Sequence, residues 1–481
     1  MQRLLDRSID KSRSDGASFD RLSRGSSLLR GAALISLCFL LTSTSWLAVE
    51  YRLLEMIPHR TADWMTMVVG YALQAGGVGL YALMLRRRSG LCAVSVFTAL
   101  GLHLLSLILT MACPSLMPVL LFSFLMNIMC GYIGGFYLHY LSVSVDRNRR
   151  ATTLGIGYAA SILMSWLLSM VDGIYDPARV WIVCLVLTAF SALLVRRTLS
   201  VPDSVPVPGE GNGQDASRGD LRPLVLAVGA LVVLFSVVNN IGFAFPSVDV
   251  SQGIRVEFSR LFYAAGLLLA GLLTDRDRRH GAILALSALA LPFVMIAFRR
   301  EPLPAAVLWA LSYFVFGFYS VFRMIVFADL ADERGLLFLS GFGLMLGRAG
   351  DVFGEALCLS LSDSLIALVV VTAVLFAASM FLFFRVYGLL YAPVRAIPAD
   401  VLDEEQLFRV FAARHDLSQR ECEVLRLLLQ EKANDAIAES LSVSDSTVKF
   451  HIHNLLKKTG CRNRQELLRL YMADFTTRSV T

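Results

Sequence analysis

The sequence predicts an all-α protein: a polytopic membrane helix bundle followed by a small helical domain. Three observations predict it. The 481 residues are 56% hydrophobic, above the roughly 45–50% of soluble globular chains. Charged residues are scarce between about residues 28 and 390 and dense on either side, which separates a lipid-type region from polar flanks. Inside that region apolar runs recur at about 20 residues, the length a helix needs to cross a hydrocarbon core.

Residues 1–27 carry Arg3, Arg7, Lys11, Arg13, Arg21 and Arg24 before any apolar run begins. A secretory signal would place its apolar core sooner and end on small residues, so this reads as a basic cytoplasmic tail. Residues 28–195 hold six spans, centred on Leu28–Val49, Trp64–Leu85, Leu91–Met111, Pro118–Leu141, Ala151–Val171 and Ala178–Val195. The stretch 196–222 is rich in Pro, Gly and Ser, the composition of a flexible linker. Residues 223–390 hold six more spans: Pro223–Phe245, Phe258–Thr274, Gly281–Phe298, Pro304–Ala328, Leu336–Leu361 and Leu365–Leu390. The count is thus about twelve, six plus six.

Loops after even-numbered spans carry Arg86-Arg87-Arg88, Arg147/Arg149/Arg150, Arg196/Arg197 and Arg276/Arg278/Arg279. Several opposite loops carry no Lys or Arg, with Arg299/Arg300 as the exception. The bias places both termini in the cytoplasm. None of the eight cysteines forms a CxxC pair, and they read as small buried hydrophobes rather than a disulfide or zinc framework. No Ser/His/Asp set, P-loop or metal-spaced cluster is present, so no metal, no cofactor and no enzymatic activity are expected.

One cluster in the apolar region bears charge: Arg323, Asp329, Arg348, Asp351 and Glu355. Arg348, Asp351 and Glu355 share a helix face by their spacing. Ionisable groups in lipid are costly and face a cavity or one another. Asn239, Asn240, Gln74, His103 and Asn127 are further candidates for polar lining. A ligand or ion site between the halves and a self-neutralising structural network both fit this pattern. Gly343-x-x-x-Gly347 and Gly350-x-x-x-Gly354 suit close helix packing.

Residues 391–416 form a tether, in which Leu402–His415 carries Leu407, Phe408 and Phe411 as one short helix. The domain 417–475 follows. Ser418 precedes an apolar stripe of Val424, Leu425, Leu428 and Leu429. Ile437 and Leu441 are neighbours on a second helix, and Ser444 suits the N-cap of a third. On that third helix Val448, Ile452, Leu455 and Leu456 face the core, while Lys449, His453 and Lys457 recur every four residues on another face, with Phe450 and Asn454 beside them. From Val448 to Arg464 there are five Lys or Arg and no acid. A helix so built can lie in a major groove, with phosphate attraction around it.

Arg420, Glu421, Glu423, Val424, Leu425, Asn434, Ile437, Ala438, Leu441, Ser444, Thr447, Val448, Lys449, His451, Lys458, Asn463 and Arg464 match, in register, the pattern of the LuxR/NarL-type helix-turn-helix, and the segment resembles that family. The resemblance implies a four-helix DNA-binding domain acting as a homodimer on double-stranded DNA. Lys449, Phe450 and His453 would then reach bases, with Asn454 and Thr447 beside them, and Lys457 and Arg464 would sit near phosphates. Two positions depart from the family: Glu431 stands where it usually has Gly, and Phe450 is bulkier than its usual aliphatic residue. Gly271-Leu272-Leu273-Thr274-Asp275-Arg276-Asp277-Arg278-Arg279, after span eight, resembles the loop motif of the major facilitator superfamily; the loop after span two lacks the aspartate.

Together these readings suggest a one-component regulator in the bacterial inner membrane, whose membrane half senses a small-molecule or protein signal. A transporter with an appended regulatory module is the alternative. The 391–416 segment is too short for a receiver domain, so a phosphorelay within the chain is not expected. It reaches at most roughly 90 Å, so DNA must come to the membrane.

Overall fold

Inside a hydrocarbon layer every backbone N–H and C=O must be bonded within the protein, and a helix achieves this within one segment. The computed structural model describes residues 2–87, 92–199 except 172, 222–243, 256–298, 302–391 except 334 and 362, and 404–471 except 416, 431, 460, 462 and 469. Among these every regular element is helical. The linker expected at 196–222 lies largely outside the described residues, as does Glu431. The chain divides into two compact units, Met1–Leu389 and Leu390–Thr481.

In the first unit α1 (Gln2–Leu54) carries an apolar span from Ser27 to Leu54. α2 (His59–Arg87) contains a π-helical stretch at Trp64–Val69. Then come α3 (Cys92–Ala112), α4 (Leu116–Ser144), α5 (Arg150–Ser169) and α6 (Pro177–Leu199). After them come α7 (Arg222–Phe243) and α8 (Val256–Arg276). α9 (Arg278–Leu286) and α10 (Leu291–Phe298) are followed by α11 (Pro302–Glu333), α12 (Phe342–Leu361) and α13 (Leu365–Tyr391).

Ten of the described helices are long and apolar enough to cross a membrane. The expected count of twelve differs at two places. Span nine is not one helix: it breaks at a 3-10 turn, Ser287–Leu289. Pro292 supplies no N–H to the preceding turn and disfavours helical backbone at Leu291. Span eleven starts later than Leu336 and exists as α12, but Arg348, Asp351 and Glu355 fall within eight residues of it, whereas each of the ten has an 18-residue apolar stretch with no more than two charges.

The packing within α1–α6 recurs within α7–α13. α1 packs on α5 as α7 packs on α12, and α2 on α4 as α8 on α11. Across the halves α2 meets α12 and α5 meets α8, again corresponding pairs. Glycine permits these close approaches: a Cβ at Gly155 of α5 would lie 2.5 Å from the Leu267 carbonyl oxygen of α8. Gly343 fits likewise against the Arg323 backbone of α11, and Gly350 and Gly354 against Val233 and Val237 of α7, so both Gly-x-x-x-Gly pairs are packing surfaces. α13 stands at the edge, with only 17% of its apolar window buried and Ile366, Val374 and Phe381 exposed, as a lipid-facing helix would.

One end of the α5–α8 seam is held by charge. The Asp275 carboxylate accepts from the backbone N–H groups of Ala151 (3.0 Å) and Thr152 (2.6 Å), capping α5 from the other half. Arg278 donates to Asp275 at 2.7 Å and to Asp329 at 2.8 Å, and Arg150 reaches Asp329 at 3.1 Å and Asp332 at 2.7 Å. Asp329 therefore belongs to this cross-half network, not to the interior charge cluster where its sequence position put it. Asp275→Ala strips α5 of its cap and Arg278 of a partner; the full chain in detergent is expected to lose about 3 kcal/mol, read as a lower thermal midpoint than that of a control at the exposed Asp363, Asp363→Ala.

The second unit is built from α14 (Glu404–Arg414), α15 (Gln419–Leu429), α16 (Asn434–Leu441) and α17 (Asp445–Thr459), with further helical residues at 464–468. Its core holds Val424, Leu425, Leu428, Ile437, Val448, Leu455 and Leu467, with Phe408 and Phe411 of α14 among them. Arg426 lies over the Phe408 ring at 4.2 Å.

Candidate nucleic-acid interface and membrane cavity

Local chemistry sets each end of the C-terminal helices. Ser418 and Glu421 form a reciprocal capping box at the start of α15. α16 ends on Ser442 in the left-handed region, φ 53°, which turns the chain into α17. The Ser444 hydroxyl accepts from the Thr447 N–H at 3.2 Å, so it caps α17 as its sequence position predicts.

α17 buries Val448 and Leu455, with Ile452 and Leu456 packed beside them. Lys449, Phe450, His453 and Lys457 are exposed, and Thr447 and Asn454 half-buried. At 100° per residue, Lys449, His453, Lys457, Phe450 and Asn454 fall within an arc of about 140° on the side away from the core. Phe450 is 61% exposed, so its ring is available to a partner rather than to the fold. Lys449 pairs with Asp445 at 2.7 Å across the solvent-facing first turn.

Two cations of the basic run serve the fold instead. Lys458 donates to Glu421 at 2.8 Å, tying α17 to α15. Arg464 lies outside α17: its Nη2 donates to the Leu428 carbonyl at 3.4 Å, at the end of α15. Sequence position alone does not separate a cation aimed at solvent from one aimed at a helix terminus.

Within the first unit a cavity of about 290 Å³ lies between the halves. Asn240, Arg323, Arg348, Asp351 and Glu355 line it, and so does Gln74, bonded to Asn127 at 2.8 Å. Arg323 and Arg348 approach Asp351 at 3.4 and 3.5 Å. Arg348 lies over the Tyr71 ring at 4.0 Å, and Arg323 over Tyr319 at 5.3 Å. Asn240 donates to Glu355 and to the Asp351 carbonyl, each at 2.9 Å.

Three expected lining residues are not on the cavity wall; Asn127 is reached only through Gln74. Asn239 turns back to the Phe235 carbonyl at 2.8 Å and is not on the cavity wall, and His103 is fully buried in α3 away from it. Conversely, Phe39, Trp46, Tyr71, Tyr137, Tyr158, Tyr263, Tyr313 and Phe316 line the cavity without having stood out in the sequence. Aromatic residues in an apolar span look alike whether they face lipid, a neighbour or a ligand; alignment of the Trp46, Tyr71 and Arg348 faces was the available clue.

The second unit thus has the architecture of a helix-turn-helix DNA-binding domain. Residues 415–471 match the family model "Bacterial regulatory proteins, luxR family", and the C-terminal segment is a LuxR-type helix-turn-helix domain. It is similar to the response regulator protein TmoT of Ectopseudomonas mendocina, 32% identical over 83 residues, 17% of this chain and 38% of that protein. It is also similar to the transcriptional regulatory protein DegU of Brevibacillus brevis, 42% identical over 52 residues, 11% and 22% of the two chains. To the HTH-type transcriptional regulator MalT of Yersinia pestis (strain Pestoides F) it is 48% identical over 50 residues, 10% and 6%. The chain spans less than two fifths of each relative's length.

Burial opposes the ionisation of Glu421, but hydrogen bonds from Lys458 and Ser418 outweigh it and hold its pKa below the usual 4.5. A lowered acid pKa contributes stability that is present above 4.5 and is lost as pH falls through the folded value. The stability of the C-terminal unit, followed by thermal unfolding, is expected to fall more steeply below pH 4.5 in the wild type than in Glu421→Gln.

Proposed function

We propose that the protein is a membrane-bound one-component transcription regulator that binds double-stranded DNA through α17 and senses a signal through its helical bundle. The observation that carries this reading is an exposed cationic arc on α17, within a LuxR-type domain, in one chain with ten membrane-length helices. Lys449, His453, Phe450, Asn454 and Thr447 would face base edges, and Lys457 a phosphate. The domain would act as a homodimer. The bundle would sit in the bacterial inner membrane with both termini in the cytoplasm and would have the twelve-span, six-plus-six arrangement of the major facilitator superfamily. The corresponding helix pairs of the two halves and the Asp275 cap support that arrangement.

Full-length protein titrated with genomic fragments tests the reading. Specific binding is expected, with Lys457→Ala weakening it across sequences and flattening the salt dependence by about one phosphate contact, and Lys449→Ala relaxing specificity at one position. Phe450→Ala is expected to relax discrimination at one position, with a loss of about 1–3 kcal/mol. Absence of specific binding by the dimeric, folded protein sinks the proposal. The cavity between the halves favours transport as the second reading; substrate accumulation in vesicles, unaffected by Lys449→Ala, would establish it.

A further inference from the structure

We propose that the cavity binds a small organic ammonium ion that also carries hydrogen-bond acceptors; this rests on reading the cavity as the bundle's ligand site. Open valences point to the class. Both arginines direct Nη1 to Asp351, at 3.4 and 3.5 Å, and lay their guanidinium planes on aromatic rings. An anion would have to displace those contacts or rely on the two Nε–H groups alone, beside the Asp351 carboxylate. Glu355 has no such partner: Oε2 accepts from Asn240, while Oε1 meets no donor among the described residues although Glu355 is only 3% exposed. A buried carboxyl oxygen on a cavity wall is best satisfied by a charged N–H donor.

The surroundings agree. Trp46 stacks on Tyr71 with ring centroids 5.8 Å apart, giving the wall aromatic faces that attract a cation. The Nε1–H of Trp46 and the Nε–H groups of Arg323 and Arg348 also meet no acceptor among the described residues, so the ligand brings acceptor atoms as well as its ammonium. At about 290 Å³ the cavity lies at the small end of ligand sites, which fits a single-ring amine.

The test uses the full chain in detergent with tyramine and histamine as ammonium probes and para-hydroxyphenylacetate as an anion of matching body. Either amine is expected to raise the unfolding temperature saturably, and the acid to leave it unchanged. Glu355→Gln is expected to weaken the amine about tenfold or more, with partial rescue by Glu355→Asp. Trp46→Phe, which keeps the ring, is expected to weaken it less. Saturable stabilisation by the acid, lost in Arg348→Ala, overturns the ligand class while leaving the cavity a binding site. No shift with either amine, or a shift indifferent to Glu355→Gln, overturns the proposal. The DNA titration is run without any of the three probes, so failure here is distinguishable from failure of the regulator reading.

Discussion

In a bundle whose outer faces are apolar, a charge has nowhere to go but inward, onto an opposite charge, a backbone terminus or a ring face. The first unit obeys this at two levels. Where α5 and α8 meet, Asp275 sits on the N-terminal amides of α5 while Arg150 and Arg278 share Asp329. Deeper in, Arg323 and Arg348 share Asp351 and use Tyr319 and Tyr71 as second surfaces. Each set links elements that apolar packing alone would leave free to slide.

Close approach makes such linkage geometrically available. Gly155 and Gly271 bring α5 and α8 together at the backbone, and Gly343 does the same for α12 and α11. Dispersion forces grow with such proximity, in a setting where hydrophobic association between helices is weak. The same contact delivers Asp275 to the start of α5. Small residues and the charge network are thus two parts of one seam, and the cavity is the space left where the seams are lined by aromatic residues instead of glycine.

Much of this was legible in the chain. Length and hydropathy located the helices, and α17's two faces were readable because burial at Val448 and Leu455 repeats with the helix while Lys449, His453 and Lys457 repeat out of phase. Charges on α12 marked the cavity because they had to be accounted for in an apolar segment. Three things were not legible. Asp329 is six residues beyond Arg323, close enough in sequence to suggest one cluster, yet its partners come from α5 and from the start of α9. Arg464 belongs to a basic run by composition and to the α15 terminus by geometry. Asn239 and Asn240 are adjacent amides facing opposite ways, one bonding its own helix and the other reaching Glu355. Each has the same origin: local sequence reports which groups need partners, and only tertiary structure says which partners they find.

A sensor of the proposed kind must satisfy a further condition. Tight binding in the cavity changes nothing by itself; a ligand shifts an equilibrium only by the difference between its affinities for two states. A tenfold change in DNA-competent population needs about 1.4 kcal/mol of that difference. Glu355 is suited to supply it. It is bonded to Asn240 of α7 and mounted on α12, so any sliding of these two helices changes the position of its open oxygen relative to Trp46 on α1. A ligand spanning Glu355 and Trp46 would therefore favour one separation of the halves over others. The cross-half carboxylates at Asp275 and Asp329 oppose or assist the same movement. The coupling free energy is then set by a few hydrogen bonds at each end of the bundle, each worth about 1–3 kcal/mol when charged, which is the size a switch requires.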